Sequence, residues 1–283
     1  MGTTGTSPGG PSAYLEAWVP RMLPYELDLV REAALRPGER VLVVGAGRGS
    51  QVLAAARAVG GGGVVRATDD RPEMVRMCRE QAARARLAAL VECAQGDAVD
   101  VGGGPWDAVL CAFGSPDPAS RVEVLRVWRD ALAPGGRVGV VAWGPGEPAQ
   151  PFARFRECLR QTDPAIDQAH AARDPSAHRG GEATDREALA ALFGEAGLVM
   201  VRHAVVRHTM SFASAEAFVR AMHEAYDGRP LRQELGGVRF ERAARLFYEA
   251  FGGPDAPLSF DPPATLAIAG LPPRDRPGAV TPG

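Results

Sequence analysis

The sequence predicts an α/β fold, a mostly parallel, doubly wound sheet with helices on both of its faces. Through the first half of the chain, short β-branched runs alternate with amphipathic helical stretches. Strands buried on both faces produce that pattern. The first run passes directly into a glycine-rich bend and then a helix. With 283 residues, 46% of them hydrophobic, the chain can bury the core of one large α/β domain or of a domain with a sizeable insertion.

Residues 1–11, rich in Gly, Pro, Ser and Thr, read as a loose tail. A helical cover follows over 12–35, with Leu15, Trp18, Met22, Leu23, Leu27 and Val30 at near-helical spacing and Pro20 and Pro24 expected to break it. A core is expected over 36–145. It opens with strand Arg40–Val44, helix Ser50–Val59 and strand Val64–Thr68, with Gly60 to Gly63 ending the helix. Pro72 suits the first turn of a helix that runs to about Arg86. Strands at Leu90–Ala94 and Trp106–Ala112, a helix at Ser120–Leu132, a Pro134-Gly135-Gly136 turn and a strand at Arg137–Trp143 complete this part. Residues 146–270 carry the remaining strands, Val199–Arg207 and Ala264–Ala269, and helices near 152–161, 185–196, 214–226 and 238–251. The Pro-, Asp-, Gly- and His-rich segment 144–183 reads as an insertion able to form a lid, and 271–283 as a second loose tail.

Composition narrows the function. A net charge of −2 leaves no electrostatic footprint for nucleic acid or an anionic membrane. All basic residues are Arg, a composition bias from which no chemistry follows. Cys78, Cys93, Cys111 and Cys158 are widely spaced without a CxxC pair, so neither a zinc site nor a disulfide framework is expected. The N-terminus lacks the pattern of a signal peptide and no apolar run reaches a membrane span. A cytoplasmic protein, monomeric or homodimeric, is expected.

The bend is Gly45-Ala46-Gly47-Arg48-Gly49. Glycines there let the backbone approach a ligand, and the following helix offers free N–H groups and the positive end of its dipole. Alone it could be a plain turn or a phosphate loop, but Ser50 stands at the third position of G-x-G-x-x-G and no Gly-Lys-Ser/Thr ending follows. Asp69 ends the second strand, about twenty residues on, where a carboxylate can accept from both hydroxyls of a ribose. Asp69 or Asp70 could equally cap the helix that starts at Pro72. Gly96-Asp97-Ala98 follows the third strand, with Asp97 able to accept from an exocyclic adenine amine. The fourth strand ends in Cys111-Ala112-Phe113 beside the crevice where open α/β sheets bind ligands.

In that order, VLVVGAGRG (41–49), TDDRPEM (68–74), GDA (96–98), WDAVLCAFG (106–114) and LAPGGRVGVVAW (132–143) resemble class I S-adenosylmethionine-dependent methyltransferases of the UbiE, ubiquinone-biosynthesis type. The resemblance covers about residues 35–145 and loosens over 187–202 and 211–219. It implies a Rossmann-like sheet of seven strands, the last antiparallel, with the N-terminal helix as a lid. It implies S-adenosylmethionine as cofactor, with Gly45, Ala46, Gly47 and Gly49 along its methionine and ribose part and Asp69 on the ribose. Asp70, Arg71 and Met74 would flank the nucleoside, Gly96, Asp97 and Ala98 the adenine, and Cys111, Ala112 and Phe113 the methionine end, with Trp18 covering the site. One position departs: the family carries an acidic residue two places before the first glycine, and this chain has Val43.

For the reacting end, His178 in the polar insertion and His223 on the 214–226 helix are the preferred proton acceptors, ahead of His170, His203 and His208, and Tyr226 shares a face with His223. Tyr14, Trp18, Trp143, Phe152, Phe155, Phe218 and Phe247 could wall an apolar acceptor pocket, although helical spacing makes most of them core. The expected reaction is O- or C-methylation of a small, largely apolar acceptor, such as a secondary metabolite. The alternative, kept by Val43, is a cofactor-binding protein of the same fold that promotes a cyclisation or rearrangement, or is inactive. No metal is called for.

Overall fold

A computed structural model describes residues 11–114, 120–144, 146–163, 185–225 and 236–273. In chain order the elements are α1 (Pro11–Glu32), β1 (Arg40–Val44), α2 (Ser50–Val59), β2 (Val64–Asp69), α3 (Pro72–Arg84), β3 (Val91–Gln95), β4 (Trp106–Ala112), α4 (Arg121–Asp130) and β5 (Leu132–Trp143). They continue with α5 (Pro151–Thr162), α6 (Arg186–Glu195), β6 (Val199–Arg207), β7 (Met210–Phe212), α7 (Ala215–Ala225), α8 (Gly237–Phe251), β8 (Leu258–Phe260) and β9 (Pro263–Gly270).

The main sheet has seven strands in the order β3-β2-β1-β4-β5-β9-β6. β1 to β5 are parallel, and β9 runs antiparallel between β5 and β6. The last strand is therefore the antiparallel one. The order reverses between β1 and β4, which opens a crevice at their C-terminal ends.

The alternating side chains of β1 divide the core. Val41 and Val43 join the cluster with α1 and α2, and Leu42 and Val44 join the cluster with α4 and α6. Val43 is fully buried in the first cluster. α1 lies on that face, and Gly139 of β5 makes room for it: a Cβ there would stand 3.1 Å from Leu29 Cδ1 and 2.9 Å from Ile268 Cδ1.

Three expectations change. α1 runs unbroken through Pro20 and Pro24. Each proline removes only one intrahelical hydrogen bond, and buried Trp18, Tyr25 and Leu29 hold the helix to the core on both sides of them. α4 stops at Asp130, and β5 begins at Leu132 rather than Arg137. The register jumps from Trp106↔Leu132 to Ala108↔Arg137, so the expected turn at Pro134–Gly136 is an irregularity inside the strand. β7 and β8 form a separate antiparallel pair that the sequence did not predict, since three-residue strands carry almost no periodicity.

No helix among the described residues is long and apolar enough to cross a membrane. Among them, no group of three His, Cys, Asp or Glu is placed to hold a metal ion.

Candidate functional site

The glycine loop leaves β1 in conformations that L side chains rarely adopt. Gly45, Gly47 and Gly49 have φ of 74°, 50° and 94°. Gly49 is the residue before α2 and faces Cys78 of α3, where an added Cβ would be 3.1 Å from Cys78 Sγ. At Gly45 and Gly47 a Cβ would meet nothing within 4 Å, so the loop borders open space. Ala46 N–H donates to the Thr68 carbonyl at 2.7 Å, which ties the loop to the end of β2.

Asp69 is 3% exposed and central to this arrangement. Its Oδ2 accepts from Gly47 N–H at 2.9 Å, and its Oδ1 accepts from Arg71 N–H and Nε, each at 3.1 Å. Its carbonyl accepts from Gly96 N–H at 3.1 Å, which brings in the end of β3. Asp69 thus already organises the glycine loop. Oδ1 is filled by Arg71, and Oδ2 keeps one lone pair. The residue before Pro72 is Arg71, with no side-chain cap, so neither Asp69 nor Asp70 is the N-cap that the sequence allowed. Asp70 is exposed beside Arg71, and Met74 is buried on α3.

Asp97 is exposed after β3 and uses Oδ1 to accept from Val99 N–H at 2.9 Å. Its Oδ2 has no hydrogen-bond partner among the described residues and is available to an amine. The Ala98 carbonyl is taken by the Trp128 indole at 2.6 Å. An added Cβ at Gly96 would fall 2.5 Å from Asp100 Oδ2, so that turn requires glycine.

Across the crevice, β4 ends in Cys111, Ala112 and Phe113. Burial pushes the Cys111 thiol up to about 12, against a contact with the Gly114 carbonyl at 3.4 Å. Phe113 holds φ 54°, an unusual backbone conformation for a bulky residue, while its N–H donates to Val141 O at 2.8 Å. Its ring lies 4.4 Å from Trp143 and 5.8 Å from Tyr25, and Trp143 lies 5.7 Å from Phe152. Phe113, Trp143 and Phe152 are only partly buried, which leaves an aromatic face at the strand ends.

Other aromatic residues are core. Phe155, Phe218 and Phe247 are fully buried. Trp18, expected over the cofactor, is 4% exposed, stacks on Phe152 and donates its indole N–H to Ala221 O at 3.0 Å. The structure therefore gives it the task of docking α1 on α7. His223 packs against Phe240 at 5.3 Å between α7 and α8. His170, His178 and Tyr226 lie outside the described residues, as does the side chain of Tyr14.

A contact that sequence reasoning missed is the pair His208–Asp28, Nε2 to Oδ2 2.7 Å, joining residues 180 apart in the chain. Asp28 also holds Arg31 at 2.7 Å. Beside them the Tyr25 hydroxyl donates to Pro262 O at 2.8 Å. Fully buried Tyr25 stands between His208 and Phe113, and this group latches α1 to the end of β6.

Residues 41–136 match the family described as "Methyltransferase domain". An uncharacterised protein of Mycobacterium tuberculosis is 36% identical over 126 residues, 43% of this chain and 43% of that protein. A ubiquinone/menaquinone biosynthesis C-methyltransferase UbiE of Ralstonia pickettii is 28% identical over 136 residues, 47% of this chain and 56% of its own length. The matches thus take in about half the length of these relatives. In fold, the YcgJ protein of Bacillus subtilis superimposes with a TM-score of 0.54 at 18% identity, covering 88% of this chain and 98% of that one. The [4+2]-cyclase SpnF does so with 0.54 at 19%, covering 87% and 79%. In sheet architecture and over residues 41–136, the chain resembles class I S-adenosylmethionine-dependent methyltransferases.

Proposed function

We propose that this chain binds S-adenosylmethionine at the Gly45–Gly49 loop and methylates a small, largely apolar acceptor at oxygen or carbon. One observation carries the reading. Asp69 joins the ends of β1, β2 and β3 through Gly47 N–H and Gly96 N–H, and Asp97 lies beside it with a free carboxylate oxygen. That leaves a hydroxyl acceptor and an amine acceptor along one edge of an open glycine loop, near the point where the strand order reverses. Unpartnered buried atoms of Thr68 and Gln51 fit the same conclusion, since buried polar groups call for partners.

When bound, S-adenosylmethionine supplies an electrophilic sulfonium methyl. The chain's own contribution is placement. Asp69 and Asp97 take the ribose and the adenine amine, Gly45 and Gly47 admit the backbone-close part, and Phe113, Trp143 and Phe152 offer an apolar face that excludes water from the acceptor. For a hydroxyl acceptor, His178 and His223 are the proposed proton acceptors. The UbiE match favours C-methylation, while the family match over residues 41–136 supports the cofactor more than the acceptor. The likeness to the cyclase SpnF concerns the fold alone and does not favour the non-methylating alternative.

The test is titration with S-adenosylhomocysteine. Asp69→Ala removes the ribose acceptor and frees the Gly47 N–H, and should weaken binding about tenfold or more. Unchanged affinity would show that the ribose is held elsewhere. Release of S-adenosylhomocysteine from S-adenosylmethionine only when an acceptor is supplied would support transfer. Consumption of the acceptor without that product would support the cyclisation alternative.

A further inference from the structure

Glu26 is a half-buried acid, its Oε2 wholly buried, that the proposed chemistry has not used. It lies on α1, two residues from Asp28 and so on roughly the opposite side of that helix. There it accepts hydrogen bonds from the Ser50 side chain and the Gln51 main chain, in the first turn of α2 directly after Gly49. Its Oε2 is buried with no hydrogen-bond partner. Burial raises its pKa, and only the Ser50 and Gln51 hydrogen bonds oppose that shift, with no cationic side chain contributing.

Two neighbours of the loop share this condition. Gln51 is 3% exposed with both amide atoms unpartnered, and Thr68 is fully buried with an unpartnered hydroxyl. Unpaired polar groups from α1, α2 and β2 therefore gather at a loop whose Gly45 and Gly47 border open space. A carboxylate kept from water without a cation is costly unless a bound partner supplies one. β1 supplies no acid of its own here, because Val43 packs into the core beneath α1 and α2.

The position selects the partner. Asp69 and Asp97 stand on the β2–β3 side of the loop and account for ribose and adenine. The rest of the ligand then extends past the loop toward β4 and α1, which pack against each other. S-adenosylmethionine carries an ammonium on that remaining part. Resting on the function proposed above, we propose that Glu26 is the positioning residue for the ammonium group of the cofactor's amino-acid tail, its carboxylate held in place by Ser50 and Gln51.

The test compares two nucleosides by calorimetric titration of the full chain. S-adenosylhomocysteine has the amino-acid tail, and 5′-methylthioadenosine has the same adenosine and thioether without it. Glu26→Gln should weaken S-adenosylhomocysteine about tenfold or more and leave 5′-methylthioadenosine within about twofold. A merely structural Glu26 would weaken both alike, and that result, or no loss for either, overturns the assignment. Should the variant fail to fold, a deaminated S-adenosylhomocysteine on the unaltered protein reads the same contact. Loss of about tenfold supports the assignment, and full affinity overturns it. Failure of the unaltered protein to bind either nucleoside overturns the cofactor reading itself, and this inference with it.

Discussion

Cys78 and Cys93 show how the residue scale sets reactivity close to the loop. The sequence marked them only as separate thiols, but the fold of α3 against β3 brings their sulfurs to 3.3 Å as free cysteines. The contact between the two sulfurs lowers the pKa of Cys93, with Arg79 assisting, and raises that of Cys78. Burial raises Cys111 and Cys158. Since the thiolate is the nucleophile, Cys93 should be the first cysteine alkylated by iodoacetamide near pH 8, as read by peptide mass spectrometry. Earlier modification of Cys111 would contradict that ordering. The same scale separates what was legible from what was not. Gly45, Gly47, Asp69 and Asp97 stood out because their chemistry is tied to local strand-to-helix turns. Glu26 and the His208–Asp28 latch did not, because partners 24 and 180 residues away are set only by packing. Asp69 was expected to hold the ribose, yet its hydrogen bond to the loop, from Gly47 N–H 22 positions back, needed the folded chain.

At the scale of elements, Arg137 clamps the end of α1 to the start of the regular part of β5. Its guanidinium meets Glu39 through Nη1–Oε1 at 3.0 Å and Nη2–Oε2 at 2.8 Å, and donates to the carbonyls of Ala33, Ala34 and Asp107. Burial works to raise the Glu39 carboxyl, but the hydrogen bonds from Arg137 and Arg36 and their charges outweigh it, and the pKa falls below its ordinary 4.5. A depressed carboxyl contributes stability that is fully present above the unfolded value and is lost as pH falls through the folded one. Glu39→Gln should therefore cost about 1–3 kcal/mol in urea unfolding at neutral pH. The gap to the unaltered protein should close as pH drops below 4.5. A gap constant with pH would place the effect outside this ion pair. The strands and helices of residues 36–145 were legible because each spans enough residues for its period to show. The prolines of α1 and the β7–β8 pair were not. In α1, tertiary packing of Trp18, Tyr25 and Leu29 overrides local propensity. In the pair, three residues a strand leave no pattern.

Over the whole molecule, strand order decides where chemistry can occur. The β3-β2-β1-β4-β5-β9-β6 order brings the glycine loop, Asp69, Asp97 and Phe113 to one edge, and α1 crosses that sheet with Glu26 toward α2 and Asp28 toward β6. Seven strands with the last antiparallel were expected from the resemblance, whereas the division of polar work between Asp69 at the loop and Glu26 on α1 emerged only from the packing. A ligand bound to this edge contacts elements from across the sheet and should stabilise the whole fold by mass action. The most direct measurement is calorimetric titration of the unaltered protein with S-adenosylhomocysteine and, separately, with NAD. The account predicts saturable binding of S-adenosylhomocysteine at one site and none of NAD. Binding of NAD with no binding of S-adenosylhomocysteine would contradict it.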